Sequence, residues 1–332
     1  MIDWFLQQSN IFFFVIQSTM FFTIPLIIVA LGGLFSEKSG VVNIALEGIM
    51  IVGAFAGILF IHMMQTRGAI LGMTLTGMPL LIVALLIGML AGMLISLLHA
   101  FASINLKANQ VISGVAINLF APAFAVYTAR IVVNSQNVRF TNVFRIDSVP
   151  FLGRIPVLGP MFFQNAYITT LLGFVILAVS SFVLFKTKFG LRLRACGEHP
   201  QAADSVGVSV AIMRYSGVLI SGALAGLGGV VFIIPITTVF DGTVVGYGFL
   251  ALAVLIFGAW KPSRILFAAI FFGLMKTIAH SHSAIGFLNA LPIPSHFYSM
   301  LPFVTTLVVL AFTSKNTQAP KAAGQPYDKG GR

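Results

Sequence analysis

Charge is the scarcest thing in this sequence. Only 8% of its 332 residues are charged and only eight are acidic, whereas a soluble domain carries about 25% charged residues. Such a chain cannot cover a water-facing surface, which excludes a cytosolic enzyme, a nucleic-acid-binding protein and a disordered protein. Cysteine is nearly absent too. The single Cys196 excludes an internal disulfide and any cysteine-cluster metal site. Two Trp and six Tyr stand beside 32 Phe, a balance that suits lipid-facing walls better than a catalytic pocket. The phosphate-cradling pattern G-x-x-x-x-G-K-[ST] is missing, and no Gly-Lys dipeptide occurs anywhere. Any ATP hydrolysis that drives this protein therefore belongs to another polypeptide.

What is present is apolar length. Hydrophobic residues make up 58% of the chain, and mean hydropathy is +1.01. A helix needs about 20 apolar residues to cross the hydrocarbon core, and the charge-free stretches 68–98, 215–240 and 283–314 meet that length. The pattern predicts an all-α, polytopic helical membrane bundle of about nine spans (eight to ten). They fall near 12–34, 47–64, 78–100, 111–128, 166–185, 211–236, 247–260, 264–280 and 297–313. Ten-residue alternating strands, the mark of a membrane barrel, do not occur. The N-terminal stretch carries Asp3 and no basic residue before Lys38, unlike a secretory signal, so the first span is expected to stay in the membrane.

The formal charge of +11 comes from short basic clusters between apolar runs, which read as topology signals. The strongest, Lys186-Thr-Lys-Phe-Gly-Leu-Arg-Leu-Arg194, belongs in the cytoplasm and implies a cytoplasmic C-terminus. Arg130, Arg139, Arg145 and Arg154, in a polar external loop at 129–165, run against that bias without reversing it. Residues 1–313 are thus expected to form one transmembrane domain with a cytoplasmic loop at 186–210. Residues 314–332, rich in Lys, Gly, Pro and Gln, are expected to be a disordered cytoplasmic tail.

Three segments carry polar chemistry. In Arg194-Ala-Cys-Gly-Glu-His-Pro-Gln-Ala-Ala-Asp-Ser-Val-Gly207, Pro200 suits a first helical position and Gly207 a stop. The segment is either a short helix outside the membrane that a partner can push, or an ordinary basic loop. In the second segment Asn43, Glu47, Met50, Ala54 and Gly57 share one helical stripe. Glu47 needs a partner or water at a membrane boundary, and Lys38 and Lys107 are candidates. It either caps or bonds a helix, or touches a solute. In the third, Gln110, Ser113, Gly114 and Asn118 share a face, where amides bond neighbouring helices or line a polar pathway. Gly222-x-x-x-Gly226 with Gly228-Gly229 suits close helix packing. His280, His282 and His296 lack the company of a metal site and read as interfacial residues. A faint internal echo links Asn43-Ile-Ala-Leu-Glu-Gly48 to Gly246-Tyr-Gly-Phe-Leu-Ala-Leu-Ala253, on helices expected to run oppositely, as inverted repeats require.

With Leu34-Phe-Ser-Glu-Lys-Ser-Gly-Val-Val-Asn-Ile-Ala-Leu-Glu-Gly48, Ala108-Asn-Gln-Val-Ile-Ser-Gly114 and Arg194 to Gly207 in view, the chain resembles a known family. It is similar to the membrane permease subunits of bacterial ATP-binding-cassette importers of the simple-sugar and branched-chain amino-acid superfamily. Within that superfamily it looks most like the nucleoside (guanosine-type) uptake permeases, over about residues 20–315. Ala45 and His199 depart from the family's usual Gly and Asn. The resemblance implies a multi-pass protein of the bacterial inner membrane without catalytic residues, metal or cofactor of its own, ATP and Mg being held by a cytosolic ATPase. It also implies a second homologous permease, an external solute-binding lipoprotein and a nucleoside or sugar as cargo. Nucleic acid is not an expected partner; membrane lipid is. Arg194, Gly197, Glu198, Pro200, Ala203 and Gly207 would form the ATPase-coupling loop. Asn43, Glu47, Gln110, Ser113 and Asn118 are the candidates for the translocation pathway. The competing readings are a pentose-type sugar permease and an ion-coupled secondary transporter. A membrane-embedded enzyme is disfavoured because no span holds paired carboxylates or a zinc-type His motif.

Overall fold

The computed structural model describes residues 2–69, 74–156, 159–283, 285, 291, 294–313 and 319–328. In chain order the helices are α1 (Ile2–Lys38), α2 (Leu46–Arg67), α3 (Gly77–Ile104), α4 (Gln110–Val133), α5 (Ile168–Lys186), α6 (Lys188–Glu198), α7 (Pro200–Ser205), α8 (Val210–Ile236), α9 (Tyr247–Phe257), α10 (Pro262–Ser281) and α11 (Ser295–Thr313). Short polar side chains open several of them. Asn109 accepts from the amides of Val111 and Ile112 at the head of α4, and Ser209 accepts from Ile212 at the head of α8. Pro200 and Pro262 stand in the first turns of α7 and α10, where a missing N–H costs nothing.

Among the described residues seven helices are long and apolar enough to cross a membrane: α1, α2, α3, α4, α5, α8 and α10. A helix lies at each of the nine expected spans, but seven rather than nine reach spanning length and apolarity: α9 has only 11 residues, and α11 is not among the seven. At about 1.5 Å per residue α9 covers roughly 16 Å, half of a hydrocarbon core. The bundle is a multi-pass membrane protein in which burial is graded. In α8, 83% of the most apolar stretch is buried, against 22% in α4 and α5. The hub, α8, packs on α1, α2 and α3. Phe182 of α5 and Leu119 of α4 point outward with large apolar side chains exposed, as lipid-facing residues do.

Glycine sets how closely the hub packs. A Cβ on Gly226 of α8 would fall on the backbone of Gly88 and Gly92 in α3, and one on Gly53 of α2 would fall on Gly226 itself. The three helices meet backbone to backbone, which is what Gly222-x-x-x-Gly226 is for.

The 129–165 region is shorter and more ordered than a free loop, because α4 runs on to Val133. Strand β1 (Val138–Arg139) pairs antiparallel with β4 (Val239–Phe240), and β2 (Ile146–Ser148) pairs with β3 (Gln164–Ala166). Gln65 of α2 exchanges hydrogen bonds with Thr141, and Asn142 donates to Ile234 O at the end of α8. This loop face closes one end of the bundle. The other end, the basic face, carries α6 and α7. Residues 319–328, expected to be disordered, lie along that basic face instead. Ala322 N donates to Gly197 O (2.9 Å) and Gly324 N to Gly40 O (3.2 Å). The terminal carbonyls of α6 lack partners within the helix, and the tail supplies one. Residues 314–318 and 329–332 lie outside the described residues.

Gly226→Leu should prevent folding of the bundle, since overpacking of about 1–3 kcal/mol is a lower bound when the clash is with backbone. Thermal unfolding in detergent, read by size-exclusion chromatography, should show no folded peak for that variant. Phe182→Leu, at an outward position, should melt with the unaltered protein. A folded Gly226→Leu protein would refute the backbone contact.

Candidate functional site

Two polar sites emerge, one within the bundle and one on the basic face. The first is built on the connection between α1 and α2. Gly40 (φ +97°) ends α1, where Ser39 N and Val41 N still close the last turn on Phe35 O and Ser36 O, and the chain then runs through the interior in turns and irregular backbone until α2 begins at Leu46. Every backbone group there needs a partner, because hydrocarbon offers none. The candidate amides supply them. Gln110 Oε1 accepts from Val42 N (2.7 Å), Asn43 Oδ1 accepts from Ala45 N (3.2 Å), and Asn43 Nδ2 donates to Ser221 Oγ (2.9 Å). Asn118 is used at both ends: Oδ1 accepts from Gly48 N (2.8 Å) and Nδ2 donates to Ile44 O (2.9 Å). His99 of α3 joins the set. Val42 O can only accept, so Nε2 carries the proton it donates there (3.0 Å), leaving Nδ1 toward Ser113 Oγ (3.1 Å).

Asn43 is therefore not on the α2 stripe. Helix α2 begins at Leu46, because the Asn43 side chain turns back on Ala45 N and holds the chain in a turn. Gln110, Ser113 and Asn118 do share one face of α4, the face turned to the break.

Glu47 faces neither Lys38 nor Lys107. Its Oε1 accepts from Gly246 N (2.8 Å) and its Oε2 from Gly248 N (2.6 Å). These are amides at the head of α9, four of which have no partner inside any helix. The carboxylate also sits at the positive end of the α9 dipole. A Cβ on Gly248 would fall on the Glu47 backbone, so the first turns of α2 and α9 touch. From that junction α2 runs to the loop face, where His62 Nδ1 meets Arg139 O (2.6 Å). Helix α9 runs to the basic face, where Trp260 donates to Glu37 Oε2 (2.5 Å). The two helices that share the sequence echo thus start together and diverge. Next to the junction, Lys276 Nζ lies 5.5 Å from the ring centroids of both Tyr247 and Phe303. It stands within α10, inside the bundle, rather than at a helix end.

The second site is the 186–210 loop. The expected short helix is there: α7 covers Pro200–Ser205, and Gly207 (φ +82°) ends it. Pro200 and Ala203 face inward, while Gln201, Ala202, Ser205 and Val206 are exposed, Val206 at 77%. Helix α6 precedes it and was not anticipated, although Gly190, Leu193, Cys196 and Gly197 mark a buried stripe at helical spacing. Gly197 is pressed against Lys38 O, leaving no room for a side chain. Glu198 is exposed beside the tail, and Lys321 N reaches its Oε2 at 3.5 Å. Arg194 bends back over the Phe185 ring (4.8 Å) and donates from Nε to Gly190 O (3.4 Å). Burial pushes the Cys196 thiol above its ordinary pKa. Also unforeseen was Arg214 of α8, 1% exposed, which donates from Nη1 to Gln325 O (3.0 Å). Its sequence neighbours hold no pattern that signals burial. On the loop face, His282 stacks on Tyr298 (4.6 Å) and His280 meets Phe22 edge-on.

Residues 15–310 match the family described as branched-chain amino acid transport system / permease component. The chain is 45% identical over 323 residues to the guanosine ABC transporter permease protein NupQ of Bacillus subtilis (strain 168), covering 96% of this chain and 97% of that one. It is 39% identical over 316 residues to the nucleoside ABC transporter permease protein NupC of Lactococcus lactis subsp. cremoris (strain MG1363), covering 95% and 96%. It is 31% identical over 328 residues to the putative glucose ABC transporter permease protein TsgC13 of Haloferax volcanii, covering 92% and 94%. The same B. subtilis and L. lactis strains also hold more distant relatives: the guanosine permease NupP, 24% identical over 92% of this chain and 82% of its own, and the nucleoside permease NupB, 25% over 76% and 69%. No solved structure matches.

Glu47→Ala should destabilise the bundle by about 2–4 kcal/mol, from two buried N–H groups left without an acceptor. Glu47→Gln, which keeps one carbonyl, should lose roughly half as much. Denaturant or thermal unfolding in detergent checks both. A Glu47→Ala protein as stable as the parent would remove the carboxylate from its capping role.

Proposed function

This chain belongs to the family of branched-chain amino acid transport system permease components, and on that premise we propose that it forms half of the membrane pathway of a nucleoside importer in a bacterial inner membrane. It is a transport subunit and not an enzyme; ATP is hydrolysed on a separate ATPase. The observation that carries the nucleoside assignment is near-complete coverage, at 45% and 39% identity, of two permeases whose names specify guanosine and nucleosides. The sugar reading rests on a relative at 31% identity and is the weaker of the two. The second permease is inferred from the strains that hold two such relatives each. An external solute-binding lipoprotein completes the complex, with the C-terminus on the cytoplasmic side.

In this reading α7 is the coupling helix. Its outward residues Gln201, Ala202, Ser205 and Val206 meet the ATPase, while Pro200 and Ala203 anchor it. Gly197 and Glu198 join it to the end of α1, Gly207 ends it, and Arg194 steadies α6 from behind. A push on α7 reaches Lys38 through the Gly197 contact and then the 39–45 break. Asn43, Gln110, Ser113 and Asn118 act there by holding the break in one arrangement, since their bonds go to backbone and to each other's helices. Glu47 does the same for α9. Movement of α2 and α9 about their shared start would open and close the path. The ion-coupled alternative has little to work with, because Glu37 and Glu47 are both engaged in structural hydrogen bonds.

Reconstitution with the ATPase, the second permease and the binding protein tests this. Nucleoside uptake should vanish with a hydrolysis-dead ATPase, persist with a proton uncoupler, and resist competition by pentoses. Uptake that survives the dead ATPase and collapses with the uncoupler would overturn the importer. Glu198→Lys or deletion of 200–206 should cut co-purification of the ATPase, with protein levels unchanged; full co-purification would remove α7 from the coupling role.

A further inference from the structure

The tail segment 319–328 crosses the basic face from α6 to the α3–α4 connection and touches five separate parts of the chain. Ala322 N and Gly324 N donate to Gly197 O and Gly40 O, tying the end of α6 to the turn that ends α1. Lys321 N reaches Glu198, and Gln325 O accepts from Arg214 of α8. Tyr327 packs on the small cluster of Cys196, Ala203 and Val210, which is the inner support of α7, and its hydroxyl hydrogen-bonds the Asp204 side chain of the same helix. Lys107 Nζ meets Asp328 Oδ2 at 3.1 Å, an exposed pair that contributes little. Pro320 and Ala322 are buried. The exposed side of α7 is left uncovered: Gln201, Ala202, Ser205 and Val206 remain open.

A six-residue helix cannot serve as a lever by itself. Fewer than two turns are unstable in water, and such an element holds its shape only through packing. Helix α7 contributes just two buried side chains, Pro200 and Ala203. The tail supplies the missing support from the flank. Because its two strongest ties run main chain to main chain, from Gly197 to Gly40, it also makes the end of α6 and the start of the 39–45 break into one unit.

We propose that residues 319–328 are a brace belonging to the ATPase-coupling surface: they stiffen α7 against the bundle so that a push on its open side moves the α1–α2 break rather than bending the loop. The brace presents no separate docking site. The ATPase meets α7 while the tail holds it from the side. This rests on the importer reading above for the identity of what pushes, but not for the docking of the tail.

The sole cysteine supplies a reporter that does not depend on transport. Cys196 is buried in the cluster on which Tyr327 packs, so alkylation in the full chain should be slow. Truncation after residue 318, Ala322→Pro (which removes the donor to Gly197 O) and Tyr327→Ala should each speed Cys196 labelling by about tenfold through local opening. In the complex with the ATPase that co-purifies with the full chain, the truncation and Ala322→Pro should retain assembly yet lower uptake per ATP hydrolysed about fivefold, the mark of lost coupling. Unchanged labelling in all three variants would overturn the docked tail. Faster labelling with uptake per ATP unchanged would overturn the brace. A full-length complex without ATP-dependent uptake would overturn the importer reading, and the labelling rates would still decide whether the tail is docked.

Discussion

The junction where Glu47 caps the head of α9 is the contact on which the interior depends. Two helices begin side by side inside an apolar bundle, each with amide groups that its own turns cannot satisfy. Lipid cannot bond them. One carboxylate answers two amides of α9, at Gly246 and Gly248. Asn118, Asn43 and Gln110 answer those of the break and of the α2 head. Without these side chains the amides of the break and of both helix heads would be left without acceptors in an apolar interior.

That place is connected to the basic face by short-range contacts. Gly197 lies directly on Lys38 O, Trp260 holds Glu37, and the tail ties Gly197 to Gly40. Around this line the hub of α2, α3 and α8 is packed backbone to backbone at glycines, too tightly to deform gradually. In the proposed function, a displacement at α7 would be passed to the ends of α1 and α9 and to the break rather than dissipated in the core. A transport subunit without a nucleotide site of its own needs such a route, since its energy arrives at the surface from another chain.

Much of this was legible in residue types. Helix α7 followed from Pro200 and Gly207, the close packing of α8 from Gly222-x-x-x-Gly226, and the echo between residues 43–48 and 246–253 from their shared small and apolar residues. The polar face of α4 was legible too, but not its partners. Side-chain amides look the same in sequence whether they serve a solute or a neighbouring backbone, and only the path of residues 39–45 distinguishes the two. The tail misled for a related reason. Its composition signals disorder because it buries few side chains, yet it docks mainly through its own backbone, which composition does not report.

By itself the sequence determined the solvent: with so little charge, so much apolar length and no alternating strands for a closed barrel, helices in lipid are the arrangement left to satisfy the main chain. The sequence also required any ATP hydrolysis to lie on another chain, since it holds no phosphate loop; that such an ATPase exists follows from the family. Only the tertiary structure decided what Glu47, Asn118 and Arg214 bond to, and that α2 and α9 share a starting point. Those partners are some 70 to 200 residues away along the chain. Hydrogen bonding depends on distance and direction in space, and no local pattern of residues encodes a contact that distant.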